Sequence, residues 1–164
     1  LTFCTLHFVF CICLPMIYPH RIRLNGPWTY EVLPPGNGGG EMRLPGDWRA
    51  ALGRNFTGSV RFGRRFNCPT GLEPHERVWL VVPGGDAAGQ VLLNEQPLGQ
   101  VLRHSVAAEF DMTAHLLPHN QLTLDVEVSA VLPGGAAPTR VLAEPQERGP
   151  LGNVRLEIRQ AASA

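Results

Sequence analysis

Polar and apolar residues alternate with a period of two along most of this chain, and glycine and proline interrupt the alternation roughly every ten residues, the signature of short strands joined by turns. "RIRLNG" (residues 21–26) alternates and ends on Asn25-Gly26, a turn dipeptide. "WTYEVL" sets Trp28, Tyr30 and Val32 against Thr29 and Glu31. "PPGNGGG" (34–40) reads as loop throughout, and "EMRLPGDW" as a short strand followed by a turn at Pro45-Gly46-Asp47. In "GSVRFGRRF" the phase shifts near Gly63, which predicts a bulge. "RVWLVV" (77–82) is apolar almost without a break, as a central strand covered on both faces would be. "GQVLLNEQPLGQV" predicts two strands around a turn from Asn94 to Pro97. "NQLTLDVEV" puts Leu122, Leu124, Val126 and Val128 on one face, and "NVRLEI" does the same with Val154, Leu156 and Ile158. No stretch of ten residues carries a helical period. The expected class is all-β, a sandwich or barrel.

Size and charge narrow this further. The 164 residues suit one domain, and 44 % hydrophobic residues can fill a core. Fourteen arginines balance fourteen acids and there is no lysine, so the basic surplus of a nucleic-acid binder is missing. The Gly-, Pro- and Ala-rich, lysine-free composition reads as coding bias rather than functional demand.

The beginning of the chain differs from the rest. "LTFCTLHFVFCICLP" (1–15) holds three of the four cysteines and no charged residue. It falls short of the roughly 20 apolar residues of a membrane-spanning helix, and it lacks the basic flank and small-residue cleavage site of a secretory signal. The expectation is a doubtful apolar leader over 1–15 and a single β-sandwich domain over 16–164. The leader is either signal-like or upstream of a true start at Met16, so the protein is exported in the first case and cytoplasmic in the second. In the body Cys68 stands alone, which supports neither a disulfide framework nor a metal site.

The order of the segments resembles the N-terminal sugar-binding domain of glycoside hydrolase family 2, the β-galactosidase and β-glucuronidase group. "LNGPWTYE", "RLPGDW", "FTGSVRFGRRFNCP", "RVWLVV" with "GQVLLNEQPLGQV", "FDMTAHLLPHNQLTLDV" and "GPLGNVRLEI" are similar to the family's successive segments. The likeness runs from Arg21 to Arg159 and rests on the ordered series rather than on any one motif. It implies a jelly-roll β-sandwich of the galactose-binding-domain-like type.

Candidate chemistry is sparse. The family's acid/base glutamate follows an asparagine, but on a separate (β/α)₈ barrel that alone needs about 250 residues. Here Asn94-Glu95 falls at a hairpin turn, where the family usually has Asn-Gly, and no second carboxylate is marked out as its partner. No catalytic residue is assigned. His115 and His119 have the i, i+4 spacing of a helical metal pair, but Pro118 between them breaks the helix, so they are expected as exposed turn residues. No metal or other cofactor is expected. Asp111 and Thr113 are expected to cap a turn that Leu116 and Leu117 pin to the core, with Asn120 starting the next strand. Asn55-Phe56-Thr57 fits a glycosylation sequon that matters only in an exported chain.

Sugar sites pair an aromatic platform with fixed polar groups. Trp28 and Trp79 sit in strand patterns and are expected in the core, which leaves Trp48, after a turn, as the exposed ring. The resemblance implies that the loop before the last strand can offer substrate an acidic or polar residue. That loop, "LPGGAAPTRVLAEPQERGPLG", has no aspartate and offers Glu144 and Glu147. The expected role is a non-catalytic module of a family-2-like glycosidase whose parent is an O-glycosyl hydrolase. Its partners would be carbohydrate and a catalytic barrel in cis or in trans, with neither nucleic acid nor a membrane among them. A free-standing lectin-like domain and a protein-interaction scaffold without sugar affinity stay open.

Overall fold

A computed structural model describes residues 19–46, 48–53, 55–85, 87–128 and 152–161. Among these residues all strand pairings are antiparallel and form two sheets. The six-stranded sheet contains β2 (Pro27–Val32), β3 (Gly39–Arg43), β4 (Gly58–Asn67), β6 (Ala87–Leu93), β7 (Gln96–Val101) and β9 (His119–Val128), in the order β3-β2-β4-β9-β6-β7. The four-stranded sheet contains β1 (His20–Arg23), β5 (Glu76–Pro83), β8 (Ala107–Asp111) and β10 (Arg155–Gln160), in the order β1-β10-β5-β8. From β4 to β10 the chain changes sheet at nearly every connection. The expected all-β jelly-roll sandwich is the fold observed.

The inward positions of both sheets meet in one core. Trp28, Val60, Phe62, Leu122, Leu124 and Val126 come from the larger sheet, and Val78, Leu80, Val82 and Leu156 from the smaller one. The parity read from the sequence at 122–128 is the buried face of β9. Trp28 carries its indole N–H into this core and donates it to the carbonyl of Leu24 at 2.7 Å, so the ring is buried without an orphan donor. β5 lies between β10 and β8, and Val81, which faces outward in register with Arg155 and Glu109, is buried as well. Cover on both sides explains the unbroken apolar run.

Three local expectations are corrected. β4 and β9 pair without a register shift from Gly58↔Val128 to Asn67↔His119, so there is no bulge at Gly63. Glycine is needed there for space: a Cβ would come within 2.7 Å of the Thr29 hydroxyl and 3.0 Å of the Gln121 amide nitrogen. The ladder shifts instead between Val91 and Leu92, where β6 meets β7. Gly39 and Gly40 belong to β3 rather than to the preceding loop, because they pair with Glu31 and Tyr30. The 94–97 turn is tighter than expected, since Gln96 and Pro97 already pair with Leu93 and Leu92. Asn25-Gly26 turns the chain between β1 and β2, which lie in different sheets.

The turn between β6 and β7 has both central residues in the left-handed region, Asn94 at φ 51° and Glu95 at φ 69°. This is the backbone of a type I′ hairpin, which favours glycine at the second position because a Cβ is strained there. Glu95→Gly is therefore expected to stabilise the protein by about 1 kcal/mol, to be read as a rise in the urea midpoint at unchanged m-value.

Candidate functional site

Three regions hold the residues with candidate chemistry. The first is the turn before β9. Asp111 Oδ1 accepts the Thr113 amide at 3.0 Å and the Thr113 hydroxyl at 2.6 Å, while Thr113 Oγ1 accepts the Val78 amide at 2.9 Å. A short 3₁₀ turn, Thr113–His115, follows, and Asp111 precedes it as an Asx turn rather than as a side-chain cap. Asn120 is buried; its Oδ1 accepts the Leu117 amide at 2.9 Å and the Asn94 side-chain amide at 3.0 Å, and its Nδ2 donates to the Leu117 carbonyl. Asn94 completes the lock by accepting the Gln121 amide at 2.9 Å. Leu116 packs on the core, but Leu117 is exposed, so the pin is one leucine and an asparagine rather than two leucines.

The second region is the outer face of the four-stranded sheet, where Arg21, Glu157, Trp79 and Asp111 lie in one row across the strands. Trp79, expected in the core, is half-buried on this face, and the Arg159 guanidinium lies over its ring, 5.1 Å from the centroid. Glu157 is 3 % exposed and is held by Arg21 at 3.2 Å, Arg155 at 2.8 Å and Arg159 at 2.7 Å. Arg159 also makes a forked pair with Glu109, at 2.7 and 3.0 Å. Burial works against ionised Glu157, but the hydrogen bonds from Arg159 and Arg155 outweigh it and hold the carboxyl below its ordinary value. The Arg159 hydrogen bond likewise lowers Glu109.

The third region is a cleft of about 880 Å³ between the two sheets. β2 accompanies β4 only as far as Gly63, so Arg64–Asn67 have no strand beside them on that side among the described residues. Opposite runs β1, the edge of the smaller sheet. Leu24, Leu156, Ile22 and Phe66 supply the apolar lining; Arg64 shares the inward parity of Phe62 and Phe66, and Arg23, Arg65, Asn67, His119 and Gln121, of the opposite parity on their strands, border the rim. Asn94 and Asn120 also border it, with their amides committed to the lock described above. Arg64 lies against Gly26, where a Cβ would collide with the guanidinium, and donates Nη1–H to the Pro27 carbonyl at 2.7 Å. Its Nε–H is buried and has no acceptor among the described residues. Arg65 donates to Gln121 Oε1 at 3.2 Å, and the His119 ring sits 2.9 Å from Asn67 Oδ1.

Of the sequence-derived candidates, Asp111, Thr113 and Asn120 meet in the first region, and Trp48 does not line the cleft. Trp48 opens the short helix α1 (Trp48–Leu52) and is 8 % exposed, so the expected exposed ring is corrected to a buried one. Five helical residues after the Pro45 turn are enough to swing the indole inward. Glu144 and Glu147, like the leader, lie outside the described residues. Glu95 is exposed at its turn, and His115 and His119 are exposed. Among the described residues no group of His, Cys, Asp or Glu could hold a metal ion, and no helix is long and apolar enough to cross a membrane. Sequence reasoning passed over Arg23, Arg64 and Arg65; the signal available was the Arg64-Arg65 pair at the end of β4.

A scan against protein-family models and a search of curated proteins each find no match. Among solved structures, the fold is similar to an FMN-binding β-glucuronidase from Facaelibacterium prausnitzii L2-6, at 19 % identity and a TM-score of 0.64 over 85 % of this chain and 22 % of that one. It is also similar to the Bifidobacterium dentium β-glucuronidase complexed with coumarin-3-O-glucuronide, at 22 % identity and a TM-score of 0.63 over 87 % of this chain and 30 % of that one. A rhamnosidase from Novosphingobium sp. PP1Y matches at 22 % identity and a TM-score of 0.62, over 87 % of this chain and 15 % of that one. At such identities the likeness is one of fold. This chain spans less than a third of each of these proteins.

Two outcomes follow. Asn120→Ala opens the lock between the β6–β7 turn and β9 and is expected to cost about 2 kcal/mol in chemical denaturation. The ionised Glu157 and Glu109 sit below their ordinary value near 4.5, so their stabilisation is complete above that pH and fades as pH falls through the depressed values. Stability measured from neutral pH downward should drop below about pH 4.5, and Glu157→Gln should make that drop shallower.

Proposed function

We propose that this chain is a non-catalytic β-sandwich module of a family-2-like glycoside hydrolase, the N-terminal sugar-binding type of domain in that group. The observation that carries the reading is the pairing of two proportions. Glycosidases of known structure match 85–88 % of this chain while the chain accounts for 22–30 % of the β-glucuronidases among them. The ordered run of segments from "LNGPWTYE" to "GPLGNVRLEI" supports the same assignment independently of the fold. In this role the two carboxylates of hydrolysis come from a barrel in cis or in trans, and the sandwich supplies a rigid flank. The fold does not name the sugar, since β-glucuronidases and a rhamnosidase share it.

A specific observation favours one second reading, a free-standing carbohydrate-binding domain: the cleft falls in the size range of small-ligand sites. An antibody against the sandwich distinguishes the two in native extracts. A species several times heavier than the 17.9 kDa of this chain is the expected result and means that further domains are attached. A species at or below that mass, with no tightly held partner on native gels, overturns the module reading and leaves the free-standing one.

A further inference from the structure

We propose that Asn55 is an acceptor for an asparagine-linked oligosaccharide. Asn55-Phe56-Thr57 has the asparagine, the threonine two residues on and the non-proline residue between them that such transfer requires. No other asparagine of the chain is followed at that distance by serine or threonine. Triplets of this kind also arise by chance, and the fold separates a usable one from one that folding would bury. A glycan is bulky and hydrated, so it is tolerated only where its asparagine ends in solvent. The triplet lies in the connection between α1 and β4, outside every strand. Asn55 and Thr57 are exposed there, while Phe56 between them is half-buried and packs on the core. The ring anchors the segment, and the residues that carry the chemistry stand in solvent on either side of it. The Phe56 amide, donating to the Gly53 carbonyl at 3.3 Å, closes the turn that holds Asn55 out.

The position also keeps the glycan clear of the rest of the molecule. Asn55 precedes the start of β4, where Gly58 pairs with Val128, whereas the cleft borders the far end of that strand, Arg64–Asn67. Ten strand residues put about 30 Å between the two ends. In the transfer, Asn55 Nδ2 attacks the anomeric carbon of an oligosaccharide carried on a polyprenyl diphosphate. The C–N bond forms as the anomeric C–O bond breaks, the amide gives up one proton, and the lipid diphosphate leaves with the electron pair. The lipid-linked donor and its transferase belong to a secretory lumen, so the modification accompanies export and is absent from a cytosolic chain. The site is independent of the module reading.

The full 164-residue chain, carried behind a cleavable export signal, is expressed in cultured animal cells. Its mass is measured before and after treatment with a peptide N-glycosidase, in the medium or, if it is retained, in the secretory membranes. The expected result is one oligosaccharide per chain, released by the enzyme with Asn55 converted to aspartate in the recovered peptide. Thr57→Ala, which leaves the acceptor asparagine in place, should abolish the modification, and Thr57→Ser should keep it. If Thr57→Ala does not fold, Asn55→Gln carries the comparison, with an unchanged unfolding midpoint as the check on the fold. The glycosylated chain and the enzyme-treated chain should unfold at the same urea midpoint, as a glycan held wholly in solvent requires. An unmodified chain overturns the site, and so does a glycan that resists the enzyme or survives Thr57→Ala. A modified chain that is misfolded overturns the claim that the sandwich accommodates the glycan.

Discussion

The pairing of β4 with β9 is the constraint from which the rest of the structure follows. Ten consecutive residues of each strand are in register, from Gly58↔Val128 to Asn67↔His119. Near one end, this ladder sets Val60 opposite Val126 and Phe62 opposite Leu124, four buried residues of the core across a single strand pair. At the other end it continues past the point where β2 leaves, with Arg65 opposite Gln121 and Asn67 opposite His119. A slip of β4 by one residue would turn Val60 and Phe62 to solvent and Arg61 and Arg65 inward, so the core enforces the geometry of the polar end. The Asn94–Asn120 lock then secures the strand where it starts, tying the β6–β7 turn to β9 through side chains that a leucine could not replace.

The legible part of the sequence was whatever could be decided within one strand. Alternation marks the buried face of β9 because its apolar residues fall on one parity and its polar residues on the other. "RVWLVV" gave the position of β5 but not its faces, since an unbroken apolar run has no parity to read; Trp79 was therefore assigned inward when it faces out under Arg159. Trp48 failed for a related reason. Its environment depends on five helical residues, fewer than any periodicity can reveal. Glu157 looks like an ordinary solvent-facing residue of an alternating strand. Its burial depends on Arg21, on the other side of the whole fold in sequence, and on Arg155 and Arg159 leaning over it from its own strand. Gly63 reads as a bulge in sequence because crowding by Thr29 and Gln121 leaves no mark except the missing side chain.

The candidate site was less legible than the fold because its residues come from strands of different sheets. Arg23 and Arg64 are 41 positions apart in the sequence, and neither carries a motif. What joins them is the departure of β2 from β4, which opens one wall, and the edge position of β1, which forms the other. The aromatic residues, which sequence reasoning favours as sugar platforms, were drawn instead into the core or under an ion-pair network.

Arginines on an edge strand also have a simpler use. Charges on an exposed edge discourage the strand from pairing with another chain, and β1 reads "HRIR". That purpose accounts for Arg21 and Arg23 on β1 but not for the opposite wall. A guard works by projecting a solvated charge outward. Arg64 is half-buried, bonded to the Pro27 carbonyl, set beside Gly26, and left with a buried Nε–H that has no acceptor among the described residues. Lysine or a shorter polar residue would guard an edge without any of these costs. What edge protection leaves over is the fixed orientation of the Arg64 guanidinium, which the Pro27 carbonyl holds from one side.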